Sequence, residues 1–315
     1  MDVSTRLRAL WDAPPLASAR ASLTLRDAEM IDSQIAISEI AAPTGEEHER
    51  GEWIASRFRA LGLTGVHADA AGNVIGTRAG ADDVAPIVIC AHLDTVFPRA
   101  VPLRVQRDGA RLVGPGIGDN GRGLAAMLAL AGAIDGTELR TRAPVVFVAT
   151  TGEEGSGDLR GAKALFACEM SHAAAAIALD GAGDERIVHR ALGSRRFCIH
   201  FRGAGGHSWT AFGVPNAVHA AAITGAILAR IALPSLPRTT LSVGRIGGGI
   251  SVNAIPDDAW LEIDLRSTSE STLRTFESEI RSAAASALHE ENLRAVRGTP
   301  PLTLEVTIIG DRPSG

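Results

Sequence analysis

The chain has 315 residues, 45% of them hydrophobic and 21% charged, with a formal net charge of −5. That length suggests about two domains with a core large enough to need no covalent staples, and the mild acidic balance argues against a nucleic-acid binder, which usually carries a basic surplus. Three scattered cysteines (Cys90, Cys168, Cys198) form no C-x-x-C and no disulfide framework, as expected of a reducing compartment. The first residues lack the apolar region of a signal peptide, and no apolar run reaches the ~20 residues that cross a bilayer. The expectation is a soluble cytoplasmic protein with no membrane and no nucleic-acid partner.

In chain order, residues 1–25 read as a loosely ordered lead-in. Residues 26–41 carry a helical stripe of Ile31, Ile35 and Ile40. Thr44-Gly45-Glu46-Glu47 reads as a capping box before a helix bearing Trp53, Ile54, Phe58 and Leu61. A short strand follows at 73–77. The runs 86–91 (PIVICA) and 145–150 (VVFVAT) have the continuous apolar character of strands buried on both faces, and 174–179 is a third apolar run. A glycine-rich turn at 114–121 opens an Ala/Leu-rich helix to about Ile134, and 161–169 reads as helix. Buried strands alternating with helices predict an α/β fold with a mostly parallel sheet. Beyond residue 192 the strands alternate instead, as at Phe197, Ile199 and Phe201. Strands at 241–246, 259–265 and 303–309 and helices at 216–231 and 271–290 complete a β-α-β-β-α-β unit. The expected division is 1–191, a first α/β domain; 192–309, a second domain inserted into it; and 310–315, the start of a return to the first.

In an open parallel sheet ligands bind beyond the carboxyl ends of the strands. His92-Leu93-Asp94 follows the first buried strand, Gly152-Glu153-Glu154 the second, and Asp180 the third; Asp119 sits in the turn before the long helix. Each piece alone has a structural explanation, but together they bring one histidine and several carboxylates to one edge. Imidazole nitrogen with carboxylate oxygen suits zinc or a similar divalent ion. Crowded carboxylates repel unless cations neutralise them, which two ions sharing a bridging carboxylate would do. Asp94, two residues from His92, can fix the imidazole tautomer. The adjacent Glu153 and Glu154 are expected to diverge, one as ligand and one as general base. The glycine-rich loop 203–209 exposes His207. Arg266 shares a strand face with Glu262 and Asp264, where a surface ion pair is the simpler reading.

The segments AHLDTV (91–96), GIGDNGRG (116–123), ATTGEEGSGDLRGAK (149–163), ALDG (178–181), GAGGHSW (203–209) and SVNAIPDDAWLEIDLR (251–266) together resemble the co-catalytic zinc metallopeptidases. That family includes carboxypeptidase G, peptidase T, acetylornithine deacetylase, succinyl-diaminopimelate desuccinylase and aminoacylase. The resemblance implies an α/β catalytic domain carrying an inserted lid or dimerisation domain, a homodimer formed through the lid, and two divalent ions, zinc foremost with cobalt or manganese as alternatives. It implies that His92, Asp119 and Asp180 hold one metal, that Asp119 bridges to a second held by Glu154, that Asp94 orients His92, and that Glu153 is the general base. It implies further that His207 reaches the partner subunit's site as oxyanion stabiliser, and that Asn253 and Arg266 bind substrate. The family's second metal takes a further histidine from a segment after the lid, so the expectation is an incomplete second site in a chain truncated at its C-terminus. The expected activity is hydrolysis of amide bonds in small peptides, with the peptidase T-like branch slightly favoured. N-acyl-amino-acid deacylation and a non-catalytic dimerising remnant are the alternatives.

Overall fold

The computed structural model describes residues 2–137, 139–181 and 187–315. The chain divides into two compact units, residues 1–185 and 186–315.

The first unit opens with helices α1 (Val3–Trp11), α2 (Pro14–Leu25), α3 (Asp27–Glu39) and α4 (His48–Ala60). Residues 1–25, expected as a loose lead-in, therefore hold two helices. The Asp2 side chain caps α1 by accepting from the Thr5 N–H, and prolines open α2. α1 carries Val3, Leu7, Leu10 and Trp11 at helical spacing but leaves all four exposed, and α2 buries only Ala19. Strands β1 (Thr64–Ala68), β2 (Val74–Arg78) and β3 (Ile87–His92) follow, then a short hairpin of β4 (Gln106–Asp108) and β5 (Arg111–Val113). Helix α5 (Gly121–Asp135), β6 (Val145–Thr150), helix α6 (Arg160–Ala167) and β7 (Ala175–Ala178) complete the unit.

The main sheet runs β1-β2-β6-β3-β7. β3 pairs in parallel with β6 and β7, whereas β2 is antiparallel to both β6 and β1. The sheet is thus mixed, not mostly parallel, because the turn at residues 69–73 joins β1 and β2 as neighbours without a crossover. Alternate residues of β3 and β6 supply two cores. Ile89, Ala91, Phe147 and Ala149 pack with Ile37, Ile54, Phe58 and Leu124 from α3, α4 and α5. Val88, Cys90, Val146 and Val148 pack with Leu165 of α6. Both faces are covered, which is why these strands are apolar without alternation. Each fully buried large side chain there is worth about 1.5–3 kcal/mol. The third apolar run behaves differently: every residue of β7 is exposed at the sheet edge.

The second unit holds β8 (Gly193–Arg202), β9 (Gly206–His207), α7 (Ala217–Leu228), β10 (Thr239–Gly248), β11 (Ala254–Ile255), β12 (Asp258–Ser267), α8 (Glu270–Leu293) and β13 (Thr303–Arg312). The four long strands form an antiparallel sheet in the order β10-β12-β8-β13. Phe197, Ile199 and Phe201 of β8 and Leu261, Ile263 and Leu265 of β12 face Ala220, Ala221, Ile280 and Ala284 of the two helices. Their polar neighbours face the other way, the alternation of a sheet with one covered face. Residues 310–312, expected beyond the last strand, extend β13 instead, pairing with Arg196, Arg195 and Ser194. A small ladder of β9 and β11 pairs His207 with Ala254.

Candidate metal centre and active site

β3 ends on His92, which is almost wholly buried, and Asp94 two residues on has no exposed surface. β6 ends at Thr150, and the chain turns through Gly152 at φ +59° into Glu153, Glu154 and Gly155 at φ +48°. Positive φ at these two positions is why glycine stands there. α5 begins just after Asp119, and Asp180 follows β7. Asn120 joins these last two segments. Its side-chain oxygen accepts from the Gly123 N–H at the start of α5, and its amide donates to the Leu179 carbonyl at 3.0 Å. A Cβ on Gly123 would lie 2.0 Å from the Asn120 Oδ1 and 2.3 Å from the Leu179 oxygen, so only glycine permits this approach.

The imidazole Nε2 lies 2.9 Å from Asp119 Oδ1 and 3.6 Å from Asp180 Oδ1. Two sets of three donors converge there: His92 with Asp119 and Asp180, and His92 with Glu153 and Glu154, the atoms of each set lying within 4.8 Å of one another. Glu153 and Glu154 therefore do not diverge as expected; the bends at Gly152 and Gly155 turn both towards the imidazole. Such nitrogen and oxygen donors around one point fit a divalent ion. The electrostatics agree. Burial pushes the His92 pKa down, but Asp180 and Asp94 overcome it and hold the ring protonated up to about 11. Glu154 is raised, first by burial and then by Asp119 and Glu153. The cluster thus draws positive charge into itself.

The Asp94 carboxylate does more than face the imidazole. His92 Nδ1 is 3.0 Å from the Asp94 backbone oxygen and 3.5 Å from its carboxylate. That carboxylate accepts from the Glu153 N–H, the Glu154 N–H and the Thr44 hydroxyl, each at 2.9 Å. Thr44 therefore does not cap α4, and Glu47, the other end of the expected capping box, makes no cap bond either. The buried Glu47 Oε1 accepts from Gly45 N–H at 2.9 Å and from Gly152 N–H at 3.0 Å, holding the segment that carries Glu153. Arg50, also buried, donates to the carbonyls of Ile40 and Leu93 and so fixes the backbone between His92 and Asp94. Asn73 accepts from Thr151 N–H and donates to the Gly161 carbonyl. The sequence reading assigned no site role to Glu47, Arg50 or Asn73. A charged residue inside an otherwise apolar helix face, as at Arg50 beside Ile54, was the available signal. Cys90 packs in the core with Val146 and Leu165, and burial pushes its thiol up to about 11.

In the second unit, the Asn253 carbonyl accepts from Ser208 N–H at 2.9 Å, which places Asn253 beside His207. Arg266 donates from Nε to Asp264 at 2.7 Å, the ion pair anticipated from strand parity. His207 and Asn253 adjoin the Asp258 end of β12, and Arg266 lies eight residues along, roughly 25 Å away at ~3.3 Å per residue.

Comparison with known proteins accords with this geometry. Residues 73–198 match peptidase family M28, and residues 191–292 match a peptidase dimerisation domain of the M20 type. The chain resembles aminopeptidase PepT from Bacillus cereus at 24% identity, over 89% of this chain and 75% of that one, with a TM-score of 0.69. It resembles a tripeptidase from Staphylococcus aureus at 24% identity over the same shares, with a TM-score of 0.71. A Bacillus subtilis protein described as a dinuclear metal-binding peptidase of the M20 family matches at 17% identity over 93% and 76%, with a TM-score of 0.63. The two adjoining matches, one to a peptidase family and one to a peptidase dimerisation domain, support a hydrolase acting on amide bonds.

Proposed function

We propose that the chain hydrolyses the amide bonds of small peptides, di- and tripeptides foremost, with two divalent ions held at the edge of the mixed sheet. The observation that carries this reading is the convergence of four carboxylates, Asp119, Asp180, Glu153 and Glu154, from separate strand ends and turns around the buried His92. His92, Asp119 and Asp180 would hold one ion; Asp119 and Glu154 would supply donors to the second. Zinc fits this donor set, as would cobalt or manganese. Such ions lower the pKa of water and polarise a carbonyl. Glu153 takes the proton from the attacking water and passes it to the departing amine. Asp94 holds both glutamates through their amide N–H groups, so general base and ligand keep a fixed spacing.

The lid unit would complete the site through dimerisation. His207 would stabilise the oxyanion, with Asn253 beside it on the carbonyl. Arg266 keeps guanidinium donors beyond the one given to Asp264 and would take a substrate carboxylate. A span of roughly 25 Å along β12 separates His207 from Arg266. One small peptide cannot touch both from the same subunit, which favours a homodimer in which each site draws on two lids.

The test is a panel of di- and tripeptides and N-acyl amino acids, assayed with metal-stripped protein and after adding zinc, cobalt or manganese. Turnover should return with metal. Glu153→Gln should cut kcat by about 10²–10⁴ while metal still binds. Metal binding without any turnover in the unaltered chain would overturn the reading in favour of a non-catalytic protein. Turnover confined to N-acyl amino acids would make it a deacylase.

A further inference from the structure

We propose that a groove beside Asp119 and Asp180 is a carboxylate-recognition subsite read by Arg122, so that substrates carrying an acidic group on that side are favoured. The proposal rests on the peptidase reading above and names the substrate class.

The groove, of about 650 Å³, lies between α3, the β4–β5 hairpin and the turn leading into α5. Gly118 and Gly181 form part of its wall. Gly118 precedes Asp119 and Gly181 follows Asp180, so the groove opens beside two of the proposed ligands. Three arginines line it, Arg107, Arg111 and Arg122, against one acid, Asp27, among the described residues. Arg107 is already paired with Asp32 at 2.9 Å. Arg111 and Arg122 have no carboxylate partner among the described residues, unlike Arg99 or Arg142, which meet Glu46 and Asp82.

Arg122 is held in place all the same. Its Nη1 donates to Gln34 Oε1 at 3.3 Å. Gln34 is buried, and its amide donates to the Ile117 carbonyl at 2.7 Å. One buried glutamine thus fixes both the backbone two residues before Asp119 and the guanidinium at the groove. The partner is neutral, so the charge of Arg122 is oriented without being compensated. An oriented guanidinium with free donors matches a carboxylate in fork geometry, which a lysine would not reproduce. The carboxylate read at this groove is an acidic side chain of the peptide, the terminal one being left to Arg266.

The metal-loaded full chain, Arg122→Leu and Arg122→Lys are compared on Ala-Glu and Ala-Gln. The pair isolates the side-chain carboxylate, since both peptides carry the same terminal one. In the unaltered chain kcat/KM should favour Ala-Glu by about tenfold. Arg122→Leu should bring that ratio close to one, with Arg122→Lys in between. Ratios near one in the unaltered chain, or a ratio that survives Arg122→Leu, overturn the subsite. The same peptides are titrated into the metal-free full chain and followed by chemical shift, which needs no turnover. Arg122-dependent discrimination there, with no peptide cleaved, supports the subsite and refutes the peptidase reading instead. Absence of discrimination in both measurements refutes the subsite alone if peptides are cleaved.

Discussion

Asp94 concentrates the chemistry of the site in one side chain. Burial raises its pKa, but the bonds from His92, from the Glu154 and Glu153 amides and from Thr44 lower it further, to about 2 against the ordinary 3.8. The folded value lies below the unfolded one. Its contribution is therefore present in full above about pH 3.8 and is lost as the pH falls towards 2. We expect Asp94→Asn to cost ~2 kcal/mol at neutral pH and the gap from the unaltered chain to close between those limits, read by denaturant titration across pH. The same variant should weaken metal binding about 10–100-fold, measured by chelator competition, because one of the two glutamate amides then meets an NH2 in place of its acceptor. Stability that is unchanged at neutral pH would mean that the carboxylate orders nothing. Glu47 acts on the same segment from the other side. Removing it leaves the Gly45 and Gly152 N–H groups without their acceptor, at a cost of ~1–3 kcal/mol for each that stays buried.

At the scale of elements, the start of α5 is the tightest joint. Asn120 and Gly123 clasp the end of β7, so that Asp119 and Asp180 face one imidazole. Gly123→Ala would drive a methyl into both the Asn120 side chain and the Leu179 carbonyl. We expect it to cost ~3 kcal/mol or more by overpacking and to separate the two aspartates. A lowered Tm together with lost metal affinity would show this; a Tm within a degree or two of the original would not fit. Such joints explain what the sequence disclosed. β3 and β6 were legible because both faces meet apolar partners. The long strands of the second unit were legible because only one face does. The candidate donors that gather around His92 were found by asking what comes after each strand. Thr44 and Glu47 look like a cap in one dimension and serve the site only because β3 and β6 end beside them. The stripe of α1, Val3, Leu7, Leu10 and Trp11, is confined to nine residues and stays exposed, and α2 buries only Ala19. β4 and β5, three residues each, are too short to show any periodicity.

At the scale of the whole molecule, the second unit is stiffened by an ion cluster where a hydrophobic residue would be expected. Arg195 occupies the same face of β8 as Phe197, Ile199 and Phe201, and it meets Glu270 and Glu277 of α8 and Asp311 of β13. A rigid sheet matters if its two ends serve different sites. The separation of His207 from Arg266 makes a prediction about subunits that no single-chain variant can test. Mix a Glu153→Gln subunit, which lacks the proposed base but keeps His207, with a His207→Ala subunit, which keeps the proposed base but lacks the histidine. If His207 acts across the dimer, each mixed dimer holds one complete site and one site lacking both groups. Random exchange makes half the dimers mixed, so activity should recover to about a quarter of the unaltered level from two nearly inactive parents. If His207 acts within its own chain, every site in the mixture lacks one group and no activity returns. Steady-state rates before and after subunit exchange distinguish the outcomes, and a recovery that depends on exchange time would tie the gain to new dimers.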